Sequence, residues 1–162
     1  MKKLIPILLL LSSVSAFSQT EQPPFKRFPT VPDFKILLSD SATWFAKKDL
    51  PNKRSTLIMI FSPDCDHCKH ETEQILANIS QFKKIEIVMA TTLPFDRMKD
   101  FYGHYDLQRF RNIKVGRDVN YLLPVFYNIR NMPFLAFYDK KGNLIDVAEG
   151  SIPVSEVLKK FE

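Results

Sequence analysis

The stretch Leu57-Ile58-Met59-Ile60-Phe61-Ser62-Pro63-Asp64-Cys65-Asp66-His67-Cys68-Lys69-His70-Glu71 carries most of the information in this 162-residue chain. Its first five residues form a continuous apolar run of strand length, the pattern of a strand covered on both faces. Ser62-Pro63-Asp64 breaks the run. Beyond the break, apolar residues recur at Ile75, Leu76, Ile79 and Phe82, one face of a helix predicted from about Cys65 to Lys83. The only two cysteines of the chain therefore open a helix directly after a buried strand. A thiolate is the reactive form of cysteine, and the unpaired N–H groups of a helix start favour negative charge there. Two intervening residues let the second thiol reach the first within one turn, so the pair can close a disulfide or resolve a mixed one. This geometry makes Cys65 the exposed nucleophile and Cys68, one turn inside, the shielded resolving thiol.

Working outward, Ile85-Glu86-Ile87-Val88-Met89-Ala90 reads as the next strand, parallel to the first if the helix is the crossover. Residues 95–110 read as helix, Ile113-Lys114-Val115 as a short strand, and Tyr121 to Arg130 as a weaker helix. Phe134-Leu135-Ala136-Phe137-Tyr138 is a strand, and Asp139-Lys140-Lys141-Gly142-Asn143 turns it back into Leu144-Ile145-Asp146-Val147-Ala148 as an antiparallel hairpin. Ser155 to Phe161 closes as a helix. On the other side, Phe34-Lys35-Ile36-Leu37-Leu38 is a strand that Ser39-Asp40-Ser41 turns into a second one around Thr43-Trp44-Phe45. Trp44 and the 14 phenylalanines read as core, since large aromatics supply buried area. There is no internal repeat and no low-complexity segment.

The chain opens Met1-Lys2-Lys3, followed by the apolar Leu4–Leu11 run and small residues at Ala16 and Ser18. That is the pattern of a secretory signal peptide over residues 1–18, with cleavage before Gln19; cleavage after Ala16 is the second choice. The apolar run falls well short of the ~20 residues needed to span a bilayer, and no cysteine follows it to carry a lipid. The expectation is an exported protein, periplasmic or extracellular, in a setting where a disulfide persists. Residues 19–32, with Pro23, Pro24, Pro29 and Pro32, read as an extended leader, and residues 33–162 as the one domain that this length allows. With 45% hydrophobic and 25% charged residues the composition is that of a globular protein, neither collagen-like nor disordered. The formal charge of +5 includes Lys2 and Lys3, and the remaining charges alternate in sign without a basic stripe, so no nucleic-acid partner is expected.

A CxxC with this strand before it, this helix after it and a later Pro–strand–hairpin–helix resembles the thioredoxin superfamily, in particular its exported TlpA- and ResA-type branch. The likeness spans residues 33–162 and rests on Leu57–Glu71 and on Asn131-Met132-Pro133-Phe134-Leu135-Ala136-Phe137-Tyr138-Asp139-Lys140-Lys141-Gly142. It implies a three-layer α/β/α fold with a mixed central sheet, here with an N-terminal strand extension. The 64 residues between Cys68 and Pro133 leave room for an extra βα unit, so residues 93–130 are a candidate insertion before the proline strand. The resemblance further implies a cis Met132–Pro133 bond facing the dithiol, where substrate backbone docks. Glu71, three residues after the second cysteine, matches a Glu of the exported branch and would pass protons to or from Cys68 one turn away. Met59 stands where cytosolic thioredoxins bury an acidic proton acceptor, so that role is vacant unless Glu71 fills it. Asp64 and His67 depart from the Trp and Pro that many thioredoxins carry at those places.

The implied activity is thiol–disulfide exchange with exported proteins, through a redox-active disulfide and no other cofactor, by a monomer served by an unidentified electron donor. Asp64, Asp66 and His67 are the candidate redox-tuning residues. A protonated His67 favours a Cys65 thiolate and the two carboxylates disfavour it, so the charges alone give no sign. The family's strong oxidases also carry His at the third position of the motif, whereas the TlpA-like resemblance implies a thiol reductase or general disulfide exchanger. Two other readings stand beside it: a copper or zinc protein using Cys65 and Cys68 with His67 or His70, His104 being the only distant histidine, and a non-catalytic binding module. A CxxC disulfide closes too small a loop to add much restraint, which weighs against a purely structural pair.

Overall fold

The computed structural model describes residues 22–162, so the signal peptide expected over residues 1–18 and the cleavage expected before Gln19 lie outside the described residues. The strand of the decisive stretch, β3 (Ser55–Ile60), is buried along its whole length. It pairs in parallel with β4 (Ile85–Thr91) and antiparallel with β6 (Phe134–Tyr138). Side chains alternate across a strand, so Leu57 and Met59 enter one core while Ile58 and Ile60 enter the other. A strand that serves two cores has no polar face, which explains the unbroken apolar run.

The sheet has seven strands in the order β2-β1-β5-β4-β3-β6-β7. β1 (Lys35–Leu38) and β2 (Trp44–Ala46) form the expected hairpin at one edge, and β7 (Leu144–Glu149) closes the other. β5 (Ile113–Arg117) joins the two parts, parallel to β4 and antiparallel to β1. Gly116 of β5 leaves no room for a side chain: a Cβ there would stand 2.9 Å from both Ile36 and the Leu37 carbonyl.

Helices cover both faces. One face carries α2 (Asp66–Ala77), α3 (Phe95–His104) and α5 (Val154–Lys159), which bury Cys68, Ile75, Met98, Phe101 and Val157. The other carries α1 (Pro24–Arg27) and α4 (Leu122–Tyr127), which bury Phe25, Leu123 and Tyr127. This is the three-layer α/β/α arrangement with a mixed sheet. Within residues 93–130, α3 leads into β5, which extends the sheet beyond β4, while α4 packs on the opposite face.

Three expectations need correction. Within the leader read as extended, residues 24–27 form a helical turn, and Phe25 packs on Tyr127 and Phe134 with ring centroids 6.0 and 6.3 Å away. The missing N–H of Pro24 costs nothing at a helix start, and burying an aromatic ring outweighs the extended preference of the surrounding prolines. Val31 N–H then donates to the Gly142 carbonyl and Leu144 N–H to the Pro29 carbonyl, tying this segment to the β6–β7 turn. The helix expected to run to Lys83 stops at Ala77, where the Asn78 amide reaches back to the Gln74 carbonyl at 2.9 Å; a separate 3-10 turn covers Ile79–Phe82. A side-chain amide competing for the last-turn carbonyls ends a helix in this way. Trp44 is not core but 40% exposed on the edge strand, its ring covered by Lys35 with Nζ 4.1 Å from the centroid, and Phe28 is also exposed.

Candidate active site

Every chemically active group lies at the end of the sheet where β3 and β4 finish and β6 begins. β3 ends in Phe61, whose N–H donates to the Ala90 carbonyl, and the chain then turns through Ser62-Pro63-Asp64. The Ser62 carbonyl accepts the Cys65 N–H at 3.1 Å and its hydroxyl the Asp64 N–H at 3.3 Å, so one serine shapes the turn. Cys65 is the residue before the first turn of α2, with extended dihedrals (φ −86, ψ 119). Cys65 is thus the N-cap of α2, next to the unpaired N–H groups of the helix start, and its side chain makes no capping hydrogen bond.

The two cysteines are thiols here, and their surroundings differ sharply. Cys65 is partly exposed and its Sγ lies 3.7 Å from the Met132 carbonyl oxygen, to which it can donate. Cys68 is fully buried. Burial pushes its thiol up to about 12, and the negative charges of Cys65 and Glu71 add to that, against one opposing backbone hydrogen bond at Ser62. The Met132–Pro133 peptide bond is cis and Pro133 is buried, so Met132 presents its carbonyl to the dithiol at the head of β6.

Glu71 is also fully buried, one turn after Cys68. Its Oε2 accepts the Ser151 hydroxyl at 2.8 Å and the Ile152 N–H at 3.0 Å, both from the loop between β7 and α5. Its Oε1 has no partner and no solvent contact. Burial raises the Glu71 carboxyl above the usual carboxylate range, while the two hydrogen bonds and the charge of His70 pull it back. A buried carboxyl oxygen without a partner is costly to keep ionised and is available to hold a proton.

Around Cys65 the charges come in pairs. Asp64 is bonded to Arg97 of α3. Asp66 accepts Lys69 Nζ at 2.9 Å, which holds its carboxyl below the usual range. Lys69 is raised in turn by Asp66 first, and by Asp64 and Cys65 beyond it. His67 and His70 are exposed on α2. A cleft of about 430 Å³ opens beside the Asp64 side of the loop, lined by Pro63, Asp64, Lys69, Arg97, Phe101 and Tyr105 among others. Among the described residues no three His, Cys, Asp or Glu side chains come together to hold a metal ion.

The site thus gathers Cys65, Cys68, Glu71, Met132, Pro133, Asp64, Asp66 and His67 at one end of the molecule. Sequence reasoning missed Ser151, Ile152 and Arg97. No motif marks Ser151 or Ile152, which act from a loop eighty residues away in the chain. Arg97 was visible only as one cation in a candidate insertion. The alternating charges also hide one gathering: Lys47, Lys48, Arg54, Lys140 and Lys141 line a second cleft, at the opposite end of the strands from the thiols.

A thioredoxin-like domain model matches residues 46–162, most of the chain and all of the site. The chain belongs to the thioredoxin-like family. Solved structures share its fold at low identity. dsbF of MTB, solved in mixed oxidised and reduced forms, is 20% identical with a TM-score of 0.67, covering 81% of this chain and 96% of its own. A secreted Mycobacterium tuberculosis disulfide oxidoreductase homologous to E. coli DsbE is 17% identical with a TM-score of 0.66, covering 79% of this chain and 93% of its own. StoA from Bacillus subtilis is 16% identical with a TM-score of 0.64, covering 83% of this chain and all of its own. No curated protein matches the sequence.

Proposed function

We propose that this thioredoxin-like protein is an exported thiol–disulfide oxidoreductase that reduces disulfides in protein substrates. The observation that carries the reading is the asymmetry of the dithiol: a partly exposed Cys65 at a helix start, against the Met132 carbonyl before the cis proline, backed by a buried Cys68. The Cys65 thiolate attacks a substrate disulfide, forming a mixed disulfide and releasing one substrate thiolate that takes up a proton. Substrate backbone lies along Met132 and Pro133 in that intermediate. Cys68 then gives its proton to Glu71 and attacks the Cys65 sulfur. This closes the Cys65–Cys68 disulfide and expels the second substrate thiolate, so two electrons pass to the substrate. A thiol reductant restores the pair.

Glu71 is fitted to the second step. A thiol held near 12 resolves slowly unless a base takes its proton, and the unpaired Oε1 of a raised carboxyl one turn away is such a base. The reducing direction is supported by the TlpA-like resemblance of the Leu57–Glu71 stretch. Export is supported by the Met1–Ser18 pattern. Among the described residues no helix is long and apolar enough to cross a membrane.

The test is insulin reduction by the wild type, Cys65→Ser and Cys68→Ser. The wild type is expected to reduce insulin, Cys65→Ser to be inactive, and Cys68→Ser to accumulate mixed disulfides through Cys65. An inactive wild type together with a Cys68→Ser variant that traps nothing would contradict the reading. A reduction potential near thioredoxin's, about −270 mV, fits the reducing direction, and one near DsbA's, about −120 mV, overturns it. Cell fractionation and N-terminal sequencing test export, with Gln19 expected as the first residue.

A further inference from the structure

Asp64 immediately precedes Cys65, and a lone carboxylate in that place would oppose a thiolate on its neighbour. It is not alone, because Arg97 reaches it from the first turns of α3, the helix that leads into β5. Asp66 on the other side of Cys65 has its own cation, Lys69, supplied by the same helix. The two pairs differ in origin. Lys69 is three residues from Asp66 and comes with α2, whereas Arg97 and Asp64 are 33 residues apart and meet only because β4 and α3 are packed as they are.

We infer that Arg97 is a positioning residue for the dithiol, neutralising Asp64 so that α3 helps to set the redox potential of the Cys65–Cys68 couple. The inference rests on the proposed dithiol chemistry and goes beyond it, since it assigns α3 a part in tuning. Two features favour an electrostatic role over a purely structural one. The Ser62–Cys65 turn is already fixed by the hydrogen bonds to Ser62, so Arg97 is not needed to shape it. Arg97 and Asp64 are also each about half exposed, at 51% and 50%, so the pair adds little to stability. The charge of Arg97 nonetheless bears on the carboxylate next to the reactive sulfur.

An electrostatic role gives the two single substitutions opposite signs. Arg97→Met leaves Asp64 unpaired beside Cys65, which disfavours the thiolate and makes the couple more reducing. Asp64→Asn leaves Arg97 unpaired, which favours the thiolate and makes it more oxidising. The experiment equilibrates each full-length variant with glutathione redox buffer at pH 7 and measures the Cys65–Cys68 equilibrium constant together with the rate of Cys65 alkylation by iodoacetamide. Each single variant is expected to shift the constant about threefold, in opposite directions, equivalent to about 14 mV at 29.6 mV per tenfold. Alkylation slows in Arg97→Met and quickens in Asp64→Asn. Arg97→Lys and the double variant Asp64→Asn/Arg97→Met stay near the wild type. Shifts of the same sign in both single variants, or no shift in either, overturn the inference. Because the wild-type couple is measured alongside, a wild type that never forms the Cys65–Cys68 disulfide would instead count against the proposed function.

Discussion

The two sides of the dithiol are built on opposite principles. On the Cys65 side the groups are exposed and charged: paired carboxylates, two cations, a histidine and an open cleft. On the Cys68 side the thiol and the one carboxyl present, Glu71, are both fully buried, and Glu71 has an oxygen with no partner at all. In the proposed reaction the first side meets the substrate, and the second, where burial pushes Cys68 up to about 12, holds a protonated thiol until a mixed disulfide has formed. One helical turn separates the two, so the start of α2 places two different environments within reach of one reaction.

The largest effect that breaks this comparison is loss of the attacking thiol. Cys65→Ser is expected to remove all insulin reduction, whereas Cys68→Ser still attacks but fails to resolve, which trapping gels distinguish. Next, Glu71→Gln is expected to leave attack near normal and to slow resolution about 100-fold, the lower range for a lost general base. Stopped-flow measurement of mixed-disulfide lifetime separates the two steps, and equal slowing of both would argue against a role confined to Cys68.

Glu71 also links the buried side to pH. Its folded-state carboxyl is raised above the ordinary 4.5 by burial, so the folded protein holds that proton more tightly than the unfolded chain. By linkage, the stability that this group allows is fully present below the unfolded value and is lost as pH rises through the folded one. Thermal melts from pH 4 to 8 should therefore show Glu71→Gln gaining on the wild type as pH rises. A pH-independent difference would refute the link.

Much of this was legible in the sequence, for physical reasons. Leu57–Phe61 announced a doubly covered strand because both faces of β3 are core. Cys65 and Cys68 declared their helix start because apolar periodicity begins just beyond them. Pro133 and Glu71 were placed by likeness to a family rather than by any local pattern. What escaped was long-range. Nothing near Phe25 distinguishes an aromatic that enters the core from one in a proline-rich tail; only Tyr127 and Phe134 decide it. Ser151 and Arg97 become part of the site through packing of α2 against the β7–α5 loop and against α3. Trp44 misled because its size suggested burial, whereas on an edge strand its face is covered by a lysine instead.

Two smaller effects sharpen the comparison by what they leave unchanged. Phe25→Ala is expected to cost about 3 kcal/mol in urea unfolding, since it opens the face of the sheet opposite α2. It should not move the redox potential. A potential that followed stability would mean that the site responds to general loosening rather than to its own charges. His67→Ala, at an exposed position, is expected to change the glutathione equilibrium about twofold or less, because solvent screens a side chain there.

The asymmetry itself is tested most directly by time-resolved alkylation of the reduced protein at pH 7 with peptide mass spectrometry. Cys65 is expected to react at least about 100-fold faster than Cys68, because its sulfur is accessible whereas Cys68 is fully buried with its thiol pushed up to about 12. Equal reactivity of the two thiols, or faster reaction at Cys68, would contradict the division of the site into an attacking and a resolving side.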